Sequence, residues 1–328
     1  MPRAWHLKSR PKARPTRAEF ELKPIDLPTL DDGAVHVRNR WLSVDPYMRG
    51  RMNDVKSYVA PFQLGEPLEG GAIGEVVESR ADGFAPGDLV QHMAGWRDEA
   101  VLSARSVHKL PDLGVEPQLF LGVLGVPGAT AWFGLLDVTK AQAGETLFVS
   151  AAAGAVGSAV VQIAKAKGMR VIGSAGGPEK CDYVRSLGAN EVLDYKSGPI
   201  LKSLARAAPD GIDVYFDNVG GDHLDAALAC ARDHARFAIC GMIGSYNDPA
   251  PPSLRFLMRV IAARIRIQGF LIIDYMQRMP EFYAGMAPLI ASRAVTSRET
   301  VVEGLEATPQ AFLGLFEGAN TGKMLVRL

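Results

Sequence analysis

The stretch most able to do chemistry is Val149-Ser150-Ala151-Ala152-Ala153-Gly154-Ala155-Val156-Gly157-Ser158. Its residues are nearly all small, and it joins an apolar run, TLFVS, to a helical pattern, AVVQIAKAKG. A strand, a bare turn and a helix in that order make an anion-binding end. The first-turn amides of the helix, those of Ala155, Val156 and Gly157, lack partners inside it and can face a pyrophosphate. Gly154 and Gly157 remove side chains where backbone must approach phosphate or where helix and strand pack. The G-x-G-x-x-G spacing would place its first glycine at 152, where Ala152 stands; one methyl suits a turn of negative φ.

The choice of dinucleotide is written further on. An NAD-binding chain carries Asp or Glu roughly 20 residues on, at the end of the second strand, to hold the ribose 2′-hydroxyl. Here that strand ends Ile172-Gly173-Ser174-Ala175-Gly176-Gly177, without a carboxylate, and Lys180 follows in the next helix. A 2′-phosphate is attracted by an ammonium, so the pattern favours NADP. Glu179 adjoins Lys180, but neighbouring helical residues point in different directions. Standing alone, Lys180 also reads as a solvated helix residue.

The elements that must position these residues change character near residue 123. Before it lie short alternating runs broken by Gly and Pro, such as AVHVRNRWLSV and GDLVQHMAG, which read as an antiparallel β region. After it, strands at TLFVS, MRVIGS, NEVLDY, IDVYFDN, RFAICG and IRIQGFLI alternate with helices near 155–167, 178–187, 197–207, 222–231 and 253–264. Near-continuous apolar strands linked by helices indicate a doubly wound parallel sheet, the Rossmann arrangement. The tail ends in a helix and an apolar strand. The expected division is a mainly β catalytic domain over 1–122 and 295–328, and a cofactor domain over 123–294.

The 328 residues carry 36 basic and 36 acidic side chains, a balance that gives no field for nucleic acid or an anionic membrane. No apolar run reaches transmembrane or signal-peptide length, so a cytoplasmic protein is expected. Cys181, Cys230 and Cys240 have neither disulfide-framework nor zinc-cluster spacing and read as inert thiols.

Several motifs in order carry a family resemblance across essentially the whole chain: SVDPYMRGRM (43–52), GVPGATAWFGL (125–135), AAAGAVGS (151–158), DNVGG (217–221), CGMIGSYN (240–247) and GANTGKMLV (318–326). The sequence resembles the medium-chain dehydrogenase/reductase superfamily. Within it, the likeness is to the zinc-free branch of prostaglandin reductases, plant alkenal double-bond reductases and bacterial curcumin-reductase-like enzymes. That resemblance implies a GroES-like β domain beside the Rossmann domain. It also implies the loop pattern A-x-x-G-x-x-G, matched by Ala151, Gly154 and Gly157.

Carried over residue by residue, the resemblance gives Lys180 and Tyr195 the 2′-phosphate. It lines the cofactor groove with Thr130, Asn218, Cys240, Gly241, Phe270, Leu271 and Asn320. Tyr246 is placed beside the reacting carbonyl, and Tyr47, Met48 and Trp96 around the substrate. Turn formation is the other reading of Asn218 and Asn320, and core packing that of Met48 and Trp96. The implied activity is metal-free, NADPH-dependent reduction of the C=C bond of a small-molecule enone or enal, by a homodimer. Quinone reduction, or NADPH binding without catalysis, are the competing readings. The zinc enzymes' ligands are missing: residues 1–150 contain no cysteine, and LEGGAIGEV occupies the place of their GHE segment.

Overall fold

Strand β3 (Ala34–Ser43) buries Val35, Val37 and Asn39 in alternation, the period expected of a pleated strand with one face on a core. The computed structural model describes residues 1–248, 250 and 253–328. Ahead of β3 run β1 (Arg3–Leu7) and β2 (Phe20–Pro24), paired antiparallel. After it come α1 (Met48–Arg51), β4 (Ala72–Ser79), β5 (Leu89–His92), β6 (Glu99–Ser103) and β7 (His108–Lys109).

The chain then alternates: α2 (Val126–Phe133), β8 (Thr146–Val149), α3 (Ala155–Ala166), β9 (Arg170–Ala175), α4 (Pro178–Ser186), β10 (Glu191–Asp194) and α5 (Ile200–Ala207). It continues with β11 (Ile212–Asp217), α6 (Gly221–Ala229), β12 (Ala231–Ile239), α7 (Arg259–Ala262), β13 (Arg266–Gly269) and α8 (Met279–Ala291). The tail holds β14 (Glu299–Glu303), α9 (Thr308–Leu315) and β15 (Lys323–Arg327).

These elements fall into two units. The first comprises Met1–Leu121, Glu299–Asn320 and Met324–Leu328. Its main sheet runs β14-β15-β3-β4-β5-β7, with β6 on β3. Trp5, Phe20, Leu42, Met48, Trp96 and Phe312 sit in its larger core.

The second unit comprises Gly122–Arg298 and Thr321–Lys323. Its six-stranded sheet has the order β10-β9-β8-β11-β12-β13, and the strand pairs are parallel. The chain winds outward from β8 to β10, returns to β11 on the other side of β8, and winds outward again. The β8/β11 boundary is therefore a switch point, where ligands bind beyond the carboxyl ends of the strands. Phe148, Ile172, Tyr215 and Phe237 supply much of the core, each from a different strand.

Two late elements differ from expectation. IRIQGFLI was expected to be strand throughout, yet β13 stops at Gly269 and the chain turns at Ile272–Arg278. Phe270 leaves the strand to pack edge-on to Phe216, at 6.1 Å between ring centres. The helix expected over 253–264 is confined to Arg259–Ala262, because Asp225 holds the Phe256 amide at 3.0 Å and the Arg255 guanidinium at 2.6 Å in a non-helical approach.

Candidate functional site

The turn between β8 and α3 is built on the Ala151 carbonyl. Ala151 takes φ 49°, a left-handed conformation uncommon for a residue with a β-carbon. Its oxygen accepts from the Gly154 amide at 2.9 Å. A β-carbon on Gly157 would lie 2.3 Å from that oxygen, which makes position 157 a glycine site; on Gly154 the nearest atom would be 3.3 Å away. Ala152 is fully buried, and its amide donates to the Ser174 carbonyl of β9 at 2.8 Å. Helix α3 has Gly154 as its N-cap and no acidic side chain in its first turn, so the amides of Ala155, Val156 and Gly157 start an unblocked, electropositive end.

The neighbouring strand ends supply the remaining wall. Asp217, fully buried at the end of β11, accepts at one carboxylate oxygen from Ser150 Oγ, Tyr215 OH and the amides of Val219 and Gly220, at 2.6–3.1 Å. Burial pushes this carboxyl up, and those hydrogen bonds act in the opposite direction. The Asp217 backbone carbonyl takes the amides of Cys240 and Gly241 at 2.9 and 3.1 Å. Asp217 therefore fixes the ends of both β11 and β12, a role that sequence reading missed; its signal was an acidic residue directly before Asn-Val-Gly-Gly.

Asn218 turns its amide group onto the Ser150 carbonyl at 2.8 Å, so its side chain ties β11 to the phosphate loop. Burial, with Asp217 nearby, pushes the Cys240 thiol up to about 12, which keeps it protonated and inert. The Tyr246 hydroxyl accepts from the Met242 amide at 3.4 Å and would stand 3.1 Å from a β-carbon on Gly241. It thus lies over the backbone at the end of β12.

The corner beyond β9 has its own construction. The Tyr195 ring covers Gly176 so closely that a β-carbon there would be 2.6 Å from the phenol oxygen. The same β-carbon would be 3.0 Å from Lys196 Cε, which brings a second lysine to this corner. The Lys180 ammonium is pulled down first by burial and then by the charge of Lys196, with Glu179 acting in the opposite direction. Glu179 pairs with Arg298 at 3.5 Å, and Asp194 spends one oxygen on the amides of Gly177 and Lys196, each at 2.9 Å. Two lysines stand at the corner, Glu179 is paired with Arg298, and Asp194 stays at the corner with one oxygen on backbone amides. These residues fit a phosphorylated ribose.

A cavity of about 490 Å³ opens next to this corner, with Tyr195, Val219, Gly220, Gly221, His223 and Ser245 in its wall.

Other candidates are placed differently. Thr130 is buried in α2, and its hydroxyl donates to the Val126 carbonyl at 2.7 Å. Phe270 packs against Phe216 and would meet a β-carbon on Gly134 at 2.5 Å, while the Leu271 carbonyl accepts from the Asp274 amide. In the first unit, Met48 and Trp96 are each 1% exposed and belong to the core. The Trp96 indole stacks on Phe20 at 5.6 Å. Tyr47 is half-buried against the same cluster, where burial and Asp45 raise its phenol. Asn320, also half-buried, precedes β15.

A family model described as the N-terminal domain of oxidoreductase matches residues 3–110, and one described as zinc-binding dehydrogenase matches 155–292. The chain is 43% identical to an NADPH-dependent curcumin reductase of Escherichia coli (strain K12), covering 99% of this chain and 96% of that protein. It is 41% identical to a 2-alkenal reductase (NADP(+)-dependent) of Nicotiana tabacum, covering 95% and 93%. The crystal structure of CurA from Vibrio vulnificus in complex with NADPH superposes with a TM-score of 0.95 at 42% identity, covering 99% of this chain and 98% of that one.

Proposed function

The chain belongs to the medium-chain dehydrogenase/reductase superfamily, in the branch of the curcumin and 2-alkenal reductases, and on that premise we propose that it uses NADPH to reduce the C=C bond of α,β-unsaturated ketones and aldehydes. The observation that carries the cofactor choice is the corner where Tyr195 covers Gly176 beside Lys180 and Lys196, with Glu179 paired to Arg298 and Asp194 accepting from the Gly177 and Lys196 amides. When bound, NADPH supplies the hydride that the substrate's β-carbon takes up.

This chain's residues have the tasks of binding and charge control. The α3 amides hold the pyrophosphate, and Tyr195 with Lys180 and Lys196 holds the 2′-phosphate. Asn218, Gly241, Phe270, Leu271, Thr130 and Asn320 complete the cofactor wall, some of them through backbone or packing. Tyr246 donates a hydrogen bond to the substrate carbonyl, where negative charge grows as the double bond is reduced. Tyr47, backed by Met48 and Trp96, is the proposed substrate contact of the first unit. A proton from Tyr246 or solvent completes the saturated product.

We read the reaction as metal-free: hydrogen bonds meet the developing charge, and among the described residues no three His, Cys, Asp or Glu side chains gather as ligands. No helix among those residues is long and apolar enough to cross a membrane; a cytoplasmic setting is part of the proposal, in keeping with three free cysteines. A homodimer is proposed through β13, an edge strand exposed at all four residues, with Ile261 and Met258 exposed close by in sequence.

Consumption of NADPH with an alkenone, with 1,4-benzoquinone, and the reverse assay with saturated alcohol and NADP⁺ test the reading. Turnover fastest with the alkenone supports it; turnover only with the quinone or only with the alcohol refutes it.

A further inference from the structure

Residues 270–278 follow β13 and lead into α8, and none of them is buried. The segment has no core of its own, so its contacts with a neighbouring element decide where it stands. That element is the end of α2, which runs directly into a π-turn at Gly134–Val138, closed by the Thr139 amide on the Gly134 carbonyl at 3.2 Å. Such turns inside helices frequently occur at functional sites.

Three contacts dock the segment along this turn. The Phe270 ring meets Gly134, where a β-carbon would lie 2.5 Å from its Cζ. Tyr275 stacks on Phe133 at 4.7 Å and 22°. Arg278 pairs with Asp137 and lies over the Phe133 ring at 5.0 Å. A lone ion pair at such exposure contributes little, but this guanidinium also donates to Glu281 at 2.8 and 2.9 Å and covers Tyr275 as well. The turn itself is anchored to the sheet: Arg266 of β13 donates to the Val138 carbonyl, and Arg236 of β12 to the Thr139 carbonyl at 2.6 Å.

The sheet order says which part of a dinucleotide reaches this place. The phosphate corner stands at β9 and β10 and the α3 amides at β8, so a molecule laid from one to the other continues toward β11, β12 and β13. Phe270 follows β13 and packs on Phe216 of β11 at 6.1 Å. The corner made by Phe270 and Leu271 therefore faces the nicotinamide half.

We propose that Arg278 is a positioning residue for the nicotinamide: through Asp137 it holds the Phe270 and Leu271 corner on the π-turn, and that corner sets where the ring stands. Arg278 acts through the corner rather than on the cofactor itself. The inference rests on the NADPH reading above and deepens it.

The test is titration calorimetry of two ligands against the full chain and its Arg278→Met and Asp137→Asn variants, with folding checked by circular dichroism. NADP⁺ carries both halves of the dinucleotide; adenosine 2′,5′-bisphosphate carries the adenosine and its 2′-phosphate without the nicotinamide. The expected result is NADP⁺ binding weakened about tenfold in either variant, with the bisphosphate held within about twofold of the unaltered protein. Asp137→Asn, nearly the same in shape, carries the test by itself where Arg278→Met does not fold. NADP⁺ binding left within about twofold overturns the inference, and so does an equal loss of both ligands, which marks a purely structural role. Failure of the unaltered protein to bind NADP⁺ overturns the cofactor reading and this inference with it.

Discussion

The Tyr195 hydroxyl rests on Gly176: a β-carbon at that glycine would lie 2.6 Å from the phenol oxygen and 2.7 Å from its Cζ. The contact sets where the phenol stands at the phosphate corner. Gly176→Ala moves the ring rather than the sheet, because Tyr195 is 41% exposed and can swing outward. The expected outcome is a KM for NADPH raised about tenfold, with the KM for NADH nearly unchanged and the melting temperature preserved. Steady-state kinetics with both cofactors check it.

Gly157 and Gly154 differ in kind despite their shared motif. A methyl at 157 meets the Ala151 carbonyl at 2.3 Å and the Ala152 Cα at 2.9 Å, both in backbone that cannot yield without opening the turn. Gly157→Ala should destabilise the fold by roughly 1–3 kcal/mol, as overpacking does, and weaken NADPH binding at least tenfold. At Gly154 the same oxygen is 3.3 Å away, so Gly154→Ala should stay within about threefold of the parent. Thermal unfolding and NADPH fluorescence titration distinguish the two.

Lys180 gives the cofactor preference a pH dependence. Burial and Lys196 pull its ammonium down, so it loses its charge at a lower pH than a free lysine. Loss of that charge weakens attraction for a 2′-phosphate and leaves a 2′-hydroxyl unaffected. The KM for NADPH should therefore rise on the alkaline side while that for NADH stays flat. Lys180→Arg, charged throughout, should flatten the NADPH profile. Lys180→Ala should raise the NADPH KM about tenfold at neutral pH.

Tyr246 is the proposed donor to the developing oxyanion. Tyr246→Phe keeps the ring and removes the hydroxyl that stands against Gly241. The expected change is a fall in kcat for an alkenone of about a hundredfold, with NADPH affinity within about twofold of the parent. Stopped-flow reduction and equilibrium titration read the two quantities separately.

Much of this arrangement is legible in the sequence, for identifiable reasons. Strands β8 to β11 are short, largely apolar and separated by helical patterns, so they lie close to where periodicity puts them, whereas β12 begins at Ala231, five residues before the expected start, across the exposed Asp233 and His234. The small-residue loop announces itself because phosphate approach tolerates so few residue types. Position alone could not separate wall from core: Trp96 and Met48 sit in recognisable motifs but pack inside the first unit. Nor could it show that the Asn218 amide goes to Ser150, or that Asp217 joins two strand ends, since both depend on contacts across the sheet. Lys196 stood in view beside Tyr195; only the fold brings it close to Lys180.

The most direct measurement follows the hydride itself. NADPH deuterated at the transferring C4 position is oxidised with an α,β-unsaturated ketone, and the product is read by NMR and mass spectrometry. Hydride delivery to the β-carbon yields a saturated ketone with its carbonyl intact and one deuterium on the former β-carbon. An allylic alcohol bearing deuterium on the carbinol carbon would contradict it.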